Sequence, residues 1–555
     1  MDYQKYFLKI KQRRQRQIAF HRRCGYNGRM RNSEVLGIVA EYNPFHTGHA
    51  HQLAEARAVS GARLVMVAMS GGVVQRGAFA IADKYTRARQ ALLAGADIVL
   101  ETPARGVLQS AQGFAEASAG LLCALGAGGL SFGSEGTPPA LLRALAALMQ
   151  NPDETWKNAF EQAIKQGQGY AHALTHATAA AIAHRPPEEQ THMLRAMRNP
   201  NDTLALAYLQ AVSGDVAVYP ILRTTPHGVE ETLGVVPHGA YPTPACGSAN
   251  DGYAMAQGAG RCDGCAVARD VPRCAGHDAS DDAFSEASDP TGHEVAEHRS
   301  ASRLRAMLAA GEPIDAYVPP EVLTLWRQDI AGGTAPIDAA RLDALLLHQL
   351  RSLPLEALQS APGLGEGLAE RCAKLASACG SLPELLAAMQ TKRYPNARIR
   401  RGLLCAVLGI SNAAVSDGIS GGDSGAVAVV KRRQVNAAGE CLSKQKNEEV
   451  RSLPAVQDAK RREAHILTAP RFARVLAAKK SALPRLAELC RKNGIPLVMQ
   501  PARQWETLSP EIQAVLRENA LAHDLHVLAR ANPGRRAAGE DARRCAVLDA
   551  PQDNG

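Results

Sequence analysis

Four short apolar segments, each followed by a stretch of helical length, leave few folds open to this chain. VLGIVAEY (35–42), RLVMVAMS (63–70), DIVLETP (97–103) and GGLSFGSEG (128–136) read as strands. A helix is expected from Gly48, another over Asp83–Ala94 and a longer one over Gln109–Leu125. Strands separated in this way predict a parallel sheet with right-handed crossovers. Ligands of such sheets sit beyond the carboxyl ends of the strands. The informative residues gather at those ends: Asn43 to His49, Ser70 to Gly77, Glu101, and Phe132 to Glu135. VAVYPILR (216–223) reads as one further strand.

The first junction, VLGIVAEYNPFHTGHAH (35–51), is the most specific. A strand that feeds a helix N-terminus presents backbone N–H groups and a partial positive charge to an anion. His46 and His49, at i and i+3, lie on one face of that first turn, where imidazoles can donate to phosphate oxygens. Gly48 removes a side chain that would hold a nucleotide off the backbone. No GxGxxG follows the strand, so this is not the dinucleotide fingerprint. An HxxH pair alone is more often a surface feature or a satisfied pair.

At 555 residues the chain exceeds one ordinary core. The expected order is a basic leader (1–34), a catalytic domain (35–225), a low-order insertion (226–299), and a helical region (300–411). A second low-order insertion (412–465), a small C-terminal region (466–533) and a charged tail (534–555) follow. Most of the net charge of +9 sits in the leader, where ten basic residues face Asp2 and Glu34. That arm reads as an RNA-binding segment, as a disordered tail, or as sequence ahead of a start at Met30. No apolar run is long enough to span a bilayer and no export signal is present. Twelve cysteines without such a signal predict reduced thiols in a cytoplasmic protein. Cys262, Cys265, Cys274 and His277 have zinc-knuckle spacing, in a stretch poor in apolar support.

Cationic candidates recur downstream. In GGVVQRGAFAIADKYTRARQAL (71–92), Gln75, Arg76 and Gly77 fall on a loop, while Asp83, Lys84 and Arg87 open a helix. Charge pattern alone makes Asp83 an N-cap and the basic pair a solvated face. Asn201, in NPND (199–202), is placed to cap a helix. Ser300, Ser302, Arg303 and Arg305 of SASRLR offer hydroxyl, backbone and guanidinium donors at a helix start. TKRYPNARIRR (391–401) combines Lys392, Arg393, Arg398, Arg400 and Arg401 with Tyr394. Such a strip fits an RNA backbone and a stacked base, or an ordinary basic surface.

The string GIVAEYNPFHTGH (37–49) resembles the HxGH nucleotidyltransferase superfamily, and within it the bacterial tRNA(Met) cytidine acetate ligases. QRG with the following DK and TR, FGSE (132–135), and segments of 363–371, 391–401 and 470–480 are similar to that family as well. SASRLR resembles the superfamily's second signature but carries Arg303 and Leu304 where small and β-branched residues are usual. The resemblance implies a Rossmann-like parallel-sheet α/β domain followed by a mostly helical RNA-binding region. It implies that His46, His49 and Lys84, with Arg87, act on the departing phosphates. It implies ATP contacts at Ile38, Val39, Ala40, Glu41, Tyr42, Asn43, Pro44, Phe45, Thr47, Gly48, Ala50 and His51, and at Gly133, Asn201, Arg223, Ser300 and Ser302. The 391–401 strip is implied to hold elongator tRNA(Met), with acetate as co-substrate and Mg²⁺ accompanying ATP rather than a protein-held metal. Acetyl-adenylate would form first, and N4 of the wobble cytidine would then take the acetyl group. No general base is identifiable. A small-molecule nucleotidyltransferase, an acetate-activating ligase for a carrier thiol, and a non-catalytic RNA-binding protein stay open as alternatives.

Overall fold

A computed structural model of the chain describes residues 34–212, 216–222, 300–391, 394–412 and 471–548. Residues 1–33 of the leader, the first insertion with its Cys262–His277 knuckle, the second insertion beyond Asn412, Arg223, Lys392 and Arg393 lie outside the described residues.

Every expected strand forms, shortened at its ends by a residue or two. β1 (Val35–Ala40), α1 (Thr47–Ser60), β2 (Leu64–Ser70), α2 (Lys84–Leu93), β3 (Ile98–Thr102), α3 (Ala111–Ala124) and β4 (Gly129–Ser134) follow in order. α4 (Pro200–Ala211) and β5 (Ala217–Leu222) complete the first half. After them come α5 (Ala301–Ala309), a series of helices ending in α6 (Asn396–Val407), then β6 (Ala473–Lys479) and β7 (Leu497–Val498). α7 (Pro510–Leu528), α8 (Glu540–Arg543) and β8 (Ala546–Leu548) close the described chain. Among the described residues no helix is long and apolar enough to cross a membrane.

The sheet runs β8-β6-β3-β2-β1-β4-β5, with β7 beside β6. β1 pairs in parallel with β2, from Val35 against Leu64 to Ala40 against Met69, and with β4 on its other side. All seven residues of β2 are buried, and they alternate between two cores. Leu64, Met66 and Ala68 pack with Phe114 and Leu122 of α3 and Leu206 of α4. Val65, Val67 and Met69 pack with Leu53 of α1, Leu92 of α2 and Leu304 of α5. A parallel sheet covered on both faces requires such continuous apolar strands.

The C-terminal part departs from expectation. Residues 466–533 do not form a separate small region: β6 adds to β3 of the first domain, antiparallel, and extends the same sheet. The segment 534–555, read as a tail, holds α8 and then β8, which pairs with β6. Arg474, fully buried in β6, donates to the Tyr85 hydroxyl at 3.0 Å and to the carbonyls of Met499 and Asp541 at 2.6 and 2.8 Å. A guanidinium has five donors, and these acceptors offset the cost of removing it from water.

Candidate active site

Strand order reverses at β1. The chain adds β2 and β3 on one side and then returns to place β4 on the other. The crevice at such a reversal is where open α/β sheets bind ligands, and the loop Glu41–His46 emerges there.

That loop turns sharply. Tyr42 adopts the left-handed region at φ 48°, and the Asn43–Pro44 peptide is cis. Tyr42 and Phe45 point inward, each at most 1% exposed, with ring centroids 4.8 Å apart. His49 packs edge-on against Tyr42 at 4.9 Å and stacks on His46 at 3.8 Å. His46 is itself the N-cap of α1, its Nδ1 accepting from Gly48 N at 3.0 Å. His49 Nδ1 accepts in return from His46 N at 3.3 Å. The two imidazoles thus form a reciprocal capping box, a device usually built from Ser or Thr with Glu. An accepting Nδ1 carries no proton, so each ring presents Nε2–H as a donor. Gly48 has a reason beyond ligand approach: a Cβ there would lie 2.9 Å from His46 Cε1 and push the capping ring aside.

Other loops converge on this turn. Asn43 Oδ1 accepts from Ile81 N at 2.7 Å, and its carbonyl accepts from Arg305 of α5 at 2.5 Å. Arg305 also donates to Ser302 Oγ at 3.0 Å, so the second signature is brought against the first. Ser300 is the N-cap of α5, accepting from Arg303 N. Glu41 Oε1 accepts from Gln75 N at 2.6 Å. Burial pushes the Glu41 carboxyl up, against the opposing pull of the Gln75 N–H, Arg87, Arg305 and Arg76. Gly133 lies on β4, beside β1. Below it Asp202, fully buried, accepts from Ser134 Oγ, Glu135 N and Thr137 Oγ1 at 3.1, 3.2 and 2.8 Å. Asn201 donates to Glu135 Oε1 at 2.6 Å. The N-cap position of α4 belongs to Asn199, so Asn201 sits in the first turn and is not the cap. Its acceptor is on the FGSE loop instead, which ties the two strings together.

Several candidates face elsewhere. Ile38 is fully buried in the core, so its side chain supports the site without lining it. Lys84, fully buried, places Nζ 2.6 Å from both Glu101 and Asp541. Burial pulls its pKa down, but the two carboxylates outweigh that and hold it charged. Arg87, also fully buried, donates to the carbonyls of Glu41 at 2.5 Å, Ser70 at 3.2 Å, and Gly71. Neither cation is a solvated face, and neither is placed to meet a phosphate: Lys84 braces α2 against β3 and α8, and Arg87 ties down the strand ends. Asp83 is the N-cap of α2, accepting from Tyr85 N at 2.8 Å.

In the helical block Tyr394 is only 8% exposed, its hydroxyl donates to Glu366 Oε2 at 2.8 Å, and Arg398 covers its ring face at 4.8 Å. That ring is already stacked and offers no platform to a base. Arg401 turns toward the catalytic domain, donating to Gln75 O at 3.2 Å. Gly77, at φ 73°, admits this approach: a Cβ there would lie 2.7 Å from Arg400 Cβ and Arg401 N.

Among the described residues one set of three side chains, Asp83, His523 and Glu540, has metal-ligating geometry. The Arg530 guanidinium already bridges the two carboxylates, at 2.6 Å from Asp83 and 3.1 Å from Glu540. That cation stands where an ion would, and the set does not suit Mg²⁺, which favours oxygen ligands and retained water.

The HIGH Nucleotidyl Transferase family model matches residues 33–234 and 287–467. A tRNA(Met) cytidine acetate ligase of Syntrophomonas wolfei is 28% identical over 381 residues, 68% of this chain and 76% of that protein. A tRNA(Met) cytidine acetate ligase of Acetivibrio thermocellus is 23% identical over 519 residues, covering 92% of this chain and 98% of its own length. A crystal structure of Thermotoga maritima TmcAL bound with alpha-thio ATP shares the fold at a TM-score of 0.66 and 19% identity, over 93% of this chain and all of that one. With the HxGH turn at the reversal point of a parallel sheet and a family match across most of its length, this chain belongs to the HIGH Nucleotidyl Transferase family.

Proposed function

We propose that the chain is an ATP-dependent tRNA acetate ligase that forms acetyl-adenylate and passes the acetyl group to N4 of the wobble cytidine of elongator tRNA(Met). The observation that carries this reading is the reciprocal cap of His46 and His49 at a helix N-terminus, on the turn that leaves β1 where strand order reverses. The named relatives, which cover this chain broadly, support the substrate pair.

The chemistry follows from charge. An acetate oxygen attacks the α-phosphorus of ATP, and pyrophosphate leaves with the bonding pair. The donors at the helix tip and the nearby guanidinium of Arg305 stabilise the charge that develops on the leaving oxygens. Arg76, exposed on the neighbouring loop, adds to the same field. Mg²⁺ bound to the triphosphate would neutralise part of that charge, which Arg305 and Arg76 address from the protein side. The cytosine amine then attacks the acetyl carbonyl and AMP departs. An anticodon loop presents that base without a helix to open.

Acetate-dependent exchange of labelled pyrophosphate into ATP tests the first half, and nucleoside mass analysis of tRNA incubated with acetate and ATP tests the second. Exchange and N4-acetylcytidine are both expected. Exchange without acetylated tRNA, but with an acylated carrier thiol, would redirect the reading to a thiol ligase.

A further inference from the structure

The backbone of Gln75 is gripped from two directions. Its N–H donates to Glu41 Oε1 at 2.6 Å, and its carbonyl accepts from Arg401 at 3.2 Å. These partners belong to different parts of the chain: Glu41 to the turn after β1, Arg401 to the basic helix α6. The approach is tight, since the Gly77 backbone fits against Arg400 and Arg401 only without a Cβ. Glu41 is held a second time through its carbonyl, by Arg87.

We propose that Arg401 is a positioning residue for the ATP half-reaction, acting through the position of the Gln75 backbone on Glu41 and the nucleotide turn rather than by contact with RNA. This rests on reading that turn as the ATP site. The Arg401 guanidinium anchors the Gln75 carbonyl, which fixes the loop and keeps the N–H of the same residue on the Glu41 carboxyl. That donor favours the ionised Glu41 carboxyl, which burial disfavours. The groups facing its carboxyl are Arg76, Arg87 of α2, Arg305 of α5 and Tyr208 of α4. None of these changes when Arg401 is replaced.

The test measures acetate-dependent pyrophosphate exchange in the full chain without tRNA, for wild type, Arg401→Ala, Arg401→Lys, Glu41→Ala and the Arg401→Ala/Glu41→Ala double variant. The KM for ATP should rise about tenfold in Arg401→Ala, the loss expected for a charged hydrogen bond. Arg401→Lys should recover part of it, and the acid limb of the rate should move to higher pH in Arg401→Ala. The double variant should be no worse than Glu41→Ala, since Arg401 acts by holding Gln75 against Glu41. A wild-type KM for ATP and an unmoved acid limb in Arg401→Ala would overturn the proposal, as would losses that multiply in the double variant. Should Arg401→Ala fail to fold, Arg401→Lys still decides through its own KM and pH limb. Absence of exchange in the wild type would instead sink the ATP reading, and this inference with it.

Discussion

Two clusters of charged and polar side chains stand beyond the strand ends, and they are built on opposite terms. At the turn after β1, His46, His49, Glu41 and Asn43 use one polar edge for backbone groups, and His46, His49 and Glu41 stay half-buried. Behind α2, Lys84, Glu101, Arg474 and Asp541 are almost wholly removed from water, and the charged ends of Lys84, Arg474 and Asp541 are answered within the protein. The first arrangement orients groups for something that arrives, whereas the second holds the C-terminal elements against the sheet. Charge near a strand end therefore does not mark a site.

The contrast breaks most readily at Lys84. Replacing Lys84 with Met leaves Glu101 and Asp541 buried with Arg474 as their remaining cation, and should destabilise the fold by about 3–5 kcal/mol. Urea denaturation checks this, and an unchanged midpoint with lost ATP turnover would return Lys84 to the catalytic set. At the other cluster His49→Ala should slow pyrophosphate exchange by about 10²–10³-fold, the usual loss for one transition-state donor. Its denaturation midpoint should move little, since a lost cap costs about 1 kcal/mol.

Acid should also separate the clusters. His526, buried and donating from Nε2 to Ala80 O at 2.9 Å, has its pKa driven down by burial from 6.5 to about 3. A base whose folded pKa is lowered contributes stability above its unfolded value and loses it as the pH falls toward the folded one. Asp83, whose burial is outweighed by His523, His526 and Arg530, and Asp541, whose burial is outweighed by Lys84 and Arg474, are held below the usual carboxylate range and add losses of the same sign. Stability should thus decline from pH 6.5 downward, and His526→Asn should remove the upper part of that slope. An unaltered slope would put the acid sensitivity elsewhere. The smallest effect is expected at Arg400, on the half-exposed face of α6: Arg400→Ala should weaken tRNA binding a few-fold and reduce its salt slope by about one, as loss of one phosphate contact would. An unchanged slope would remove α6 from the RNA-binding surface.

The strands of the first domain and the turn after β1 were legible because their signals are local: apolar runs of fixed length, and HTGH at a strand-to-helix junction. Asp83 was legible as a cap for the same reason. Lys84 and Tyr394 were misread because their partners, Asp541 and Glu366, are distant in the chain. Nothing in DKYTR distinguishes a lysine aimed at solvent from one sealed under a helix 457 residues away. Arg401 was read as one of a basic strip, while its acceptor, a main-chain carbonyl, leaves no mark in any sequence.

Residue order by itself determined that this chain forms a parallel sheet with its polar junctions at one edge, since hydrophobic period and turn chemistry act within a few residues. Only the tertiary structure decided which junction lies at the reversal of strand order, and that the far end of the chain completes the same sheet. Pairing between strands, and between buried ions, depends on which surfaces exclude water together, and that is settled when the whole chain packs.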